Sequence, residues 1–255
     1  MKPNSNFRFK AIIGLVSALN TGSIACFWDD VPPMPQYPMN PITMSLAFHR
    51  ILCWPFTMFI CWSLYTSEDV VHGNHGNQVK MTGVYRFTKF TCCSWGLNTL
   101  YFNLILVHSA AVCFGFDGIP VFVHVLFEVC LTSGFLVSLV FHFILVPIAR
   151  KKAPERLPKL LGWRSMCLHC ANIIMLVIEA FLAGWHVVPR HWLYGLAYCN
   201  AYLVFTIWWF HQNGIFYYFF MDYKRFKWAP LAYIFLFVGH AAVWFLCSQL
   251  TIYNR

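Results

Sequence analysis

The segment Ser165–Trp185, SMCLHCANIIMLVIEAFLAGW, decides the fold of this chain. It is apolar over about one bilayer thickness, because a spanning helix needs roughly 20 residues at about 1.5 Å rise per residue. Polar side chains interrupt it at His169, Asn172 and Glu179. At about 3.6 residues per turn these three and Ser165 share one helix face. Since a polar group left unsatisfied in hydrocarbon costs several kcal/mol, this face is predicted to turn inward, towards other helices or a hydrated cavity.

The composition is that of a membrane protein. Of the 255 residues, 59% are hydrophobic and 11% are charged, whereas soluble domains carry about 25% charged residues. The net charge of +9 is concentrated in connections beside apolar segments, so no nucleic-acid partner is expected. The 11 cysteines are scattered through apolar segments and are interpreted as small buried hydrophobes. Cys167 and Cys170 flank His169, but no second Cys/His pair matches their spacing, so neither a metal nor any other cofactor is predicted.

Five further segments reach spanning length: Met44–Tyr65, Phe90–Gly115, Ile119–Ile148, Trp192–Asn213 and Ala229–Leu250. Together they predict an all-α, polytopic transmembrane helix bundle over residues 44–255. Residues 1–43 form an N-terminal segment. In it Ala11–Trp28 is either a first span or a signal peptide, and the acidic, proline-rich Asp29–Thr43 is an extracytoplasmic linker. The bundle therefore has six or seven predicted spans.

Basic residues occur in alternate connections. The connection 149–164 contains Arg150, Lys151, Lys152, Arg156, Lys159 and Arg164. The stretch before Phe90 contains Lys80, Arg86 and Lys89, and the stretch after Asn213 contains Lys224, Arg225 and Lys227. The positive-inside rule predicts that these three connections are cytoplasmic. The chain is therefore expected to be an integral membrane protein of the endomembranes or the plasma membrane, with loop 149–164 in the cytoplasm and the lipid bilayer as its surroundings.

Counting residues from the predicted helix ends places one group of polar side chains at similar depth in the cytoplasmic half: Thr91, Asn98, His142, His169, Asn172 and His211, with Ser94 beside Thr91. A hydroxyl and several imidazoles in a water-poor pocket are the parts of a nucleophile and a base. The alternative is structural. A membrane threonine commonly bonds its own backbone, and a histidine commonly bonds a neighbouring helix.

An outer tier of ionisable side chains lies towards the other leaflet: Arg50, His108, His124, Glu128 and Glu179. Arg50 is the one arginine inside a predicted span, so Glu128 or Glu179 is its expected counter-charge. Such a pair either fixes the register of two helices or belongs to a proton or ion pathway.

At Tyr85–Trp95 and His169–Glu179 the sequence resembles two related groups of multi-pass membrane proteins. One is the androgen-induced-gene family, which hydrolyses fatty acid esters of hydroxy fatty acids with a threonine and a histidine. The other is the rolling-stone family, which is linked to myoblast fusion and to which the spacing of His169 and Asn172 is closer. Trp208–Lys224 resembles the aromatic-Gly-aromatic end of the penultimate helix in both. Where the hydrolase pattern has a second histidine and a threonine, this chain has Met166 and Cys170.

The resemblance implies that Thr91 attacks the ester of a lipid drawn from the bilayer and that His169 accepts its proton. Asn172, Asn98 or Ser94 would then orient the imidazole or stabilise the oxyanion. Three functions stay open: a lipid-ester hydrolase, a non-enzymatic protein acting through partners or in membrane fusion, and a transporter or seven-span receptor. The outer tier favours the third, but no inverted repeat accompanies it. Protein partners are left open.

Overall fold

The structure, a computed structural model, describes residues 41–72, 78–114, 121–224 and 227–252. Ala11–Trp28 and most of the predicted linker lie outside these residues. The described chain is mostly helical, as the sequence predicted, and five of its helices are long and apolar enough to cross a membrane.

The first part of the chain forms two long helices joined by a small hairpin. Helix α1 (Pro41–Thr66) begins within the predicted linker, and Pro41 suits a first helical position because a proline lacks only an N–H that is unpaired there anyway. Strands β1 (Asp69–His72) and β2 (Gln78–Met81) pair antiparallel. A 3₁₀ turn, Gly83–Thr88, then leads into α2 (Phe90–Cys113). The hairpin was not predicted and is the one departure from an all-α fold in the described chain.

The remaining helices are interrupted twice by wide π-turns. The first, Phe141–Leu145, separates α3 (Val121–Val140) from α4 (Val146–Lys152). The second, Cys167–Ala171, interrupts the segment Ser165–Trp185. The other helices are α5 (Leu157–Leu160), α6 (Trp163–Met166), α7 (Asn172–Ala183), α8 (Trp192–Asn213) and α9 (Ala229–Ile252).

The helices that satisfy the length and hydropathy of a membrane span are Met44–Thr66, Phe90–Ala111, Val121–Lys152, Trp163–Ala183 and Ala229–Leu250. Helix α8 has the predicted bounds and 22 residues but is not one of these five. The coarser prediction of a multi-span helical bundle is therefore confirmed, whereas the count of six or seven is not.

Helix α3 lies at the centre of the bundle. It packs against α2, α7, α8 and α9, and α1 covers α2 and α7 from the other side. Trp95, Phe127 and Leu176, from three of these helices, are fully buried, and Phe127 meets Trp185 edge-on with ring centroids 4.8 Å apart. Gly184 ends α7 with φ +63°, a left-handed conformation that glycine adopts without strain.

Asp69 joins two of the basic connections at one end of the bundle. Its carboxylate lies 2.8 Å from Arg86, 2.6 Å from Lys89 and 2.7 Å from Lys159. Burial alone would raise the pKa of Asp69, but Lys89, Lys159 and Arg86 outweigh it and hold the pKa well below its usual range. Because Lys89 precedes α2 and Lys159 belongs to loop 149–164, the shared carboxylate places both connections at the same end.

Gly195 marks the closest approach of α8 to α9. A Cβ atom built at Gly195 would lie 2.3 Å from Cε1 of His240 and 2.7 Å from Cζ3 of Trp244, and both of these side chains are buried. We expect Gly195→Ala to lower the free energy of unfolding by about 1–3 kcal/mol or more, because the two helices must separate. Unfolding by SDS titration in mixed micelles would measure the loss.

Gly96 supplies the matched control. It also lies inside a long helix, but the nearest atom to its added Cβ would be Cδ1 of Phe87 at 3.9 Å, an ordinary contact. Gly96→Ala should therefore be neutral or stabilise by up to about 1 kcal/mol, the difference in helix propensity. Equal stability changes in the two variants would contradict the close approach at Gly195.

Candidate functional site

An apolar cavity lies among the start of α2, the second half of α3, α8, α9 and the chain that follows α8. Its volume is about 70 Å³; since one buried water needs roughly 10–15 Å³, it has room for several waters or a short stretch of acyl chain. It is lined by Phe90, Thr91, Leu136, Val137, Val140, Leu145, His169, Cys199, Tyr202, Leu203, Tyr218, Phe220, Met221, Tyr233, Leu236 and Phe237.

Thr91 enters the cavity from the first turn of α2. Its side chain is buried, and its Oγ1 lies 3.5 Å from the hydroxyl of Tyr218, at the limit of a hydrogen bond. Burial raises the pKa of Tyr218 to about 12. The phenol therefore keeps its proton at neutral pH and can donate a hydrogen bond to a group in the cavity.

His169 enters the cavity from the second π-turn. Its Nδ1 lies 2.6 Å from the carbonyl oxygen of Ser165. A carbonyl only accepts, so Nδ1 carries the proton and donates it, which leaves Nε2 of the neutral ring as the acceptor. The imidazole stacks on Phe141 with centroids 3.9 Å apart and the planes 20° from parallel. These two contacts fix the tautomer and the plane of the ring and leave Nε2 as its acceptor nitrogen.

Two π-turns meet beside the cavity. His169 and Cys170 belong to one, Phe141 and His142 to the other, and besides the ring stack the two turns approach through Cys170 Sγ and His142 Nε2 at 3.7 Å. A π-turn inserts one residue into a helix and rotates the residues beyond it, and such turns are frequent at functional sites. The sequence pattern gave no sign of either turn.

Thr91 and His169 are thus brought to one cavity, as their predicted depth required. No hydrogen bond joins them directly among the contacts of the described residues. The structure therefore brings the two side chains to the same cavity but not into a hydrogen bond with each other.

The three supporting residues expected around His169 are used elsewhere. Asn98 donates through Nδ2 to Oδ1 of Asn172 at 3.0 Å, and both amides are buried between α2 and α7. Ser94 shares a hydrogen bond of 3.1 Å with the hydroxyl of Tyr198. None of the three lines the cavity, and Ser165 holds the imidazole instead. The interhelical role that the sequence left open therefore describes Asn98, Asn172 and Ser94.

His142 and His211 also lie outside the cavity. His142 is exposed and its Nδ1 bonds the carbonyl of Ser138 at 2.9 Å on its own helix. His211 is exposed in the last turn of α8. Of the three imidazoles expected to converge, His169 alone lines the cavity, so the expectation of several is corrected to one.

Apart from His108, the outer tier separates into two networks. Arg50 donates to Oε1 of Glu179 from Nε at 2.8 Å and from Nη2 at 2.7 Å, so Glu179 rather than Glu128 is its counter-charge. Tyr101 donates to the same oxygen at 2.9 Å. His49 stands near the other oxygen, with its Nε2 3.7 Å from Oε2. This network ties α1, α2 and α7 together.

Glu128 forms the second network. Its Oε1 accepts the backbone N–H of Val188 at 2.6 Å, its Oε2 lies 2.7 Å from Nδ1 of His191, and Nε2 of His124 is 3.3 Å from Oε1. His191 follows Pro189 in the short connection between α7 and α8. The sequence did not point to it because it lies outside the predicted segments Ser165–Trp185 and Trp192–Asn213.

Tyr218 was not predicted as a site residue either. It lies inside Trp208–Lys224, the aromatic segment that carried part of the family resemblance, and that segment was the available signal. Tyr218 reaches the cavity because the chain turns at Gly214, where φ is +69°. This turn brings the chain back beneath α2, where Tyr217 also shares a hydrogen bond with Thr88.

No family model, curated protein or solved structure matches the chain.

Proposed function

We propose that this chain is a membrane-embedded hydrolase of lipid esters, with Thr91 as the nucleophile and His169 as the base. The observation that carries the proposal is that both residues line one apolar cavity, in which Nε2 of His169 is the acceptor nitrogen and has no hydrogen-bond partner among the described residues. The topology proposed with it adds α8 as a sixth span and keeps loop 149–164 in the cytoplasm.

The first half of the reaction forms an acyl-enzyme. Oγ1 of Thr91 attacks the carbonyl carbon of the ester while Nε2 of His169 takes the hydroxyl proton. The tetrahedral intermediate collapses, the bond to the alcohol oxygen breaks, and the imidazolium returns its proton to that oxygen. The alcohol leaves, and the acyl group remains on Thr91.

The second half repeats the proton transfers with water. His169 takes a proton from the water as its oxygen attacks the acyl carbon, and it then protonates Oγ1 of Thr91 as that bond breaks. The products are a carboxylic acid and an alcohol, and the enzyme returns to its starting state. Tyr218, whose hydroxyl is 3.5 Å from Thr91 Oγ1, is placed to donate to the oxygen that becomes negative in each intermediate.

The lining of the cavity supports a substrate with long apolar chains. Apart from Thr91, His169, Cys199 and three tyrosines, every lining side chain is aliphatic, phenylalanine or methionine. Nothing in the lining is charged, so a free carboxylate at the end of one acyl chain would have to stay outside the cavity. An ester within a branched lipid, such as a fatty acid ester of a hydroxy fatty acid, puts its reactive carbonyl between two acyl chains and suits this lining.

Labelling with a fluorophosphonate probe tests the nucleophile. We expect purified wild-type protein in detergent to be labelled on Thr91, labelling to be absent in Thr91→Ala and to be strongly reduced in His169→Ala, because the hydroxyl needs the base. Mass spectrometry of the labelled peptide identifies the modified residue. A folded wild type that takes no label, or a Thr91→Ala variant labelled as fast as wild type, would remove the hydrolase proposal.

The second candidate is a non-enzymatic protein that acts through partners. The observation in its favour is that Thr91 hydrogen-bonds towards Tyr218 rather than towards His169 in the described structure. In that case the cavity binds a lipid without cleaving it, and a radiolabelled lipid ester would co-purify intact. Recovery of the free acid and alcohol from the same sample decides for the hydrolase.

A further inference from the structure

A buried group of two histidines and a glutamate lies at the opposite end of α3 from the cavity. His124 and Glu128 are one turn apart in the first half of α3, and His191 reaches them from the 3₁₀ turn before α8. One nitrogen from each imidazole and one carboxylate oxygen all lie within 4.8 Å of one another. Thr91 and His169, in contrast, lie near the second half of α3, so the two sites are separate.

The charge of Glu128 is unusual for its surroundings. Its side chain is 0% exposed, and within the described ranges neither lysine nor arginine pairs with it. Glu179, equally buried, has Arg50 at 2.7 Å. A buried carboxylate without a cation is costly. Glu128 has no permanent cation beside it, because its charged neighbours would be two imidazoles that carry charge only when protonated.

The free nitrogens supply the second observation. Nε2 of His124 is buried and has no hydrogen-bond partner, although it lies 3.3 Å from Oε1 of Glu128. Two ligand atoms that each lie about 2.0–2.1 Å from a tetrahedral ion are separated by roughly 3.3–3.4 Å. The separation of this pair is thus that of two ligands of one ion. It is too long, and not aligned, for a hydrogen bond of normal strength.

His191 can complete the set. Its Nδ1 lies 2.7 Å from Oε2 of Glu128, and its Nε2 is buried without a partner. When an ion takes Nδ1, the proton on that nitrogen moves to Nε2 or leaves for solvent, and a neutral imidazole coordinates. Val188 keeps its hydrogen bond to the carboxylate, which orients Glu128 as partners outside a metal's own ligands do.

From this we infer that His124, Glu128 and His191 bind a divalent transition-metal ion of the zinc class, with water as a fourth ligand. Two imidazoles and one carboxylate are a ligand set that zinc uses, and the hard ions Mg²⁺ and Ca²⁺ prefer oxygen alone. The ion supplies the charge that Glu128 lacks and ties the 184–191 connection to α3. The inference is independent of the proposed hydrolase and of its cavity.

Metal binding to the full-length protein in detergent tests the site. Metal is removed from the protein with a chelator and the protein is titrated with ZnCl₂. The bound zinc is then quantified by inductively coupled plasma mass spectrometry. We expect one ion per chain and a rise in Tm that the chelator reverses. In a parallel titration CoCl₂ should give the visible absorption of tetrahedral Co²⁺. His124→Gln and His191→Gln should lose the absorption and the Tm shift.

His240→Gln is the matched control. His240 is also a buried histidine whose Nε2 has no partner among the described residues, but it lies outside the group, so its variant should bind one ion. The site is refuted if stripped wild type binds no Zn²⁺ and its Tm does not move. It is refuted equally if His124→Gln binds as wild type does. Because the wild-type titration decides by itself, a variant that fails to fold does not leave the question open.

Discussion

Thr91→Ala is expected to lower turnover of a lipid ester by at least about a thousandfold, the effect of removing a nucleophile from a hydroxyl hydrolase. Thr91→Ser should retain turnover, since it keeps the hydroxyl at the same position. Without Oγ1 no acyl-enzyme can form, and the cavity can only bind the ester. The measurement is the release of free fatty acid from an ester of a hydroxy fatty acid by purified protein.

His169→Ala is expected to cost about 10²–10⁴-fold, the contribution of a general base. Thr99→Ala is the control for both variants: Thr99 is buried on the same helix as Thr91 but bonds the carbonyl of Trp95 at 3.0 Å and does not line the cavity. Turnover in the Thr99 variant should stay near that of wild type. If all three variants lost the same fraction of activity, the loss would reflect folding and not chemistry.

The second large effect concerns stability. Glu179→Leu is expected to lower the free energy of unfolding by about 3–5 kcal/mol, because it leaves the guanidinium of Arg50 buried without its counter-charge. The same change also removes the acceptor of the Tyr101 hydroxyl. SDS titration of the protein in mixed micelles, followed by tryptophan fluorescence, would measure the loss.

The double variant Arg50→Met/Glu179→Leu separates the charge effect from packing. Both new side chains have similar volume to the originals, and replacing a buried ion pair by apolar groups is often neutral or stabilising. We therefore expect the double variant to be more stable than Glu179→Leu alone. A double variant that is less stable than either single variant would show that packing around these positions, not the buried charge, accounts for the loss.

The sequence predicted how deep a residue lies in the bundle better than it predicted which way the side chain points around the helix axis. Counting residues from the helix ends placed Thr91 and His169 at similar depth, and both side chains line one cavity. The same counting gave His142 that level, but its side chain is exposed. Depth follows from the rise per residue alone, whereas direction depends on the wide turns at Phe141–Leu145 and Cys167–Ala171, which no hydrophobic pattern reveals.

The partners of buried polar groups were predictable only within a helix. His124 and Glu128 were recognised as neighbours because they are one turn apart on the same helix. Whether Arg50 would meet Glu128 or Glu179 depends on which helices pack together, and the sequence left both open. The structure assigns Arg50 to Glu179 because α1 packs on α7, and it gives Glu128 a partner, His191, from a connection that carries no periodic pattern.

The pairing of Arg50 with Glu179 has a consequence for the order of synthesis. The two residues are 129 positions apart, so α1 is made and meets the bilayer long before its counter-charge exists. Arg50 lies in the first third of the span Met44–Thr66, whose mean hydropathy is only 1.3. An arginine inside a span opposes insertion, by up to about 2.5–3.5 kcal/mol when it is at the helix centre. Ser109 of α2, 2.8 Å from Nη1 of Arg50, is made before Glu179 and can hydrogen-bond the guanidinium first. The ion pair between α1 and α7 can therefore form only after α7 has been made, so the first described helix of the bundle is among the last to gain its buried counter-charge.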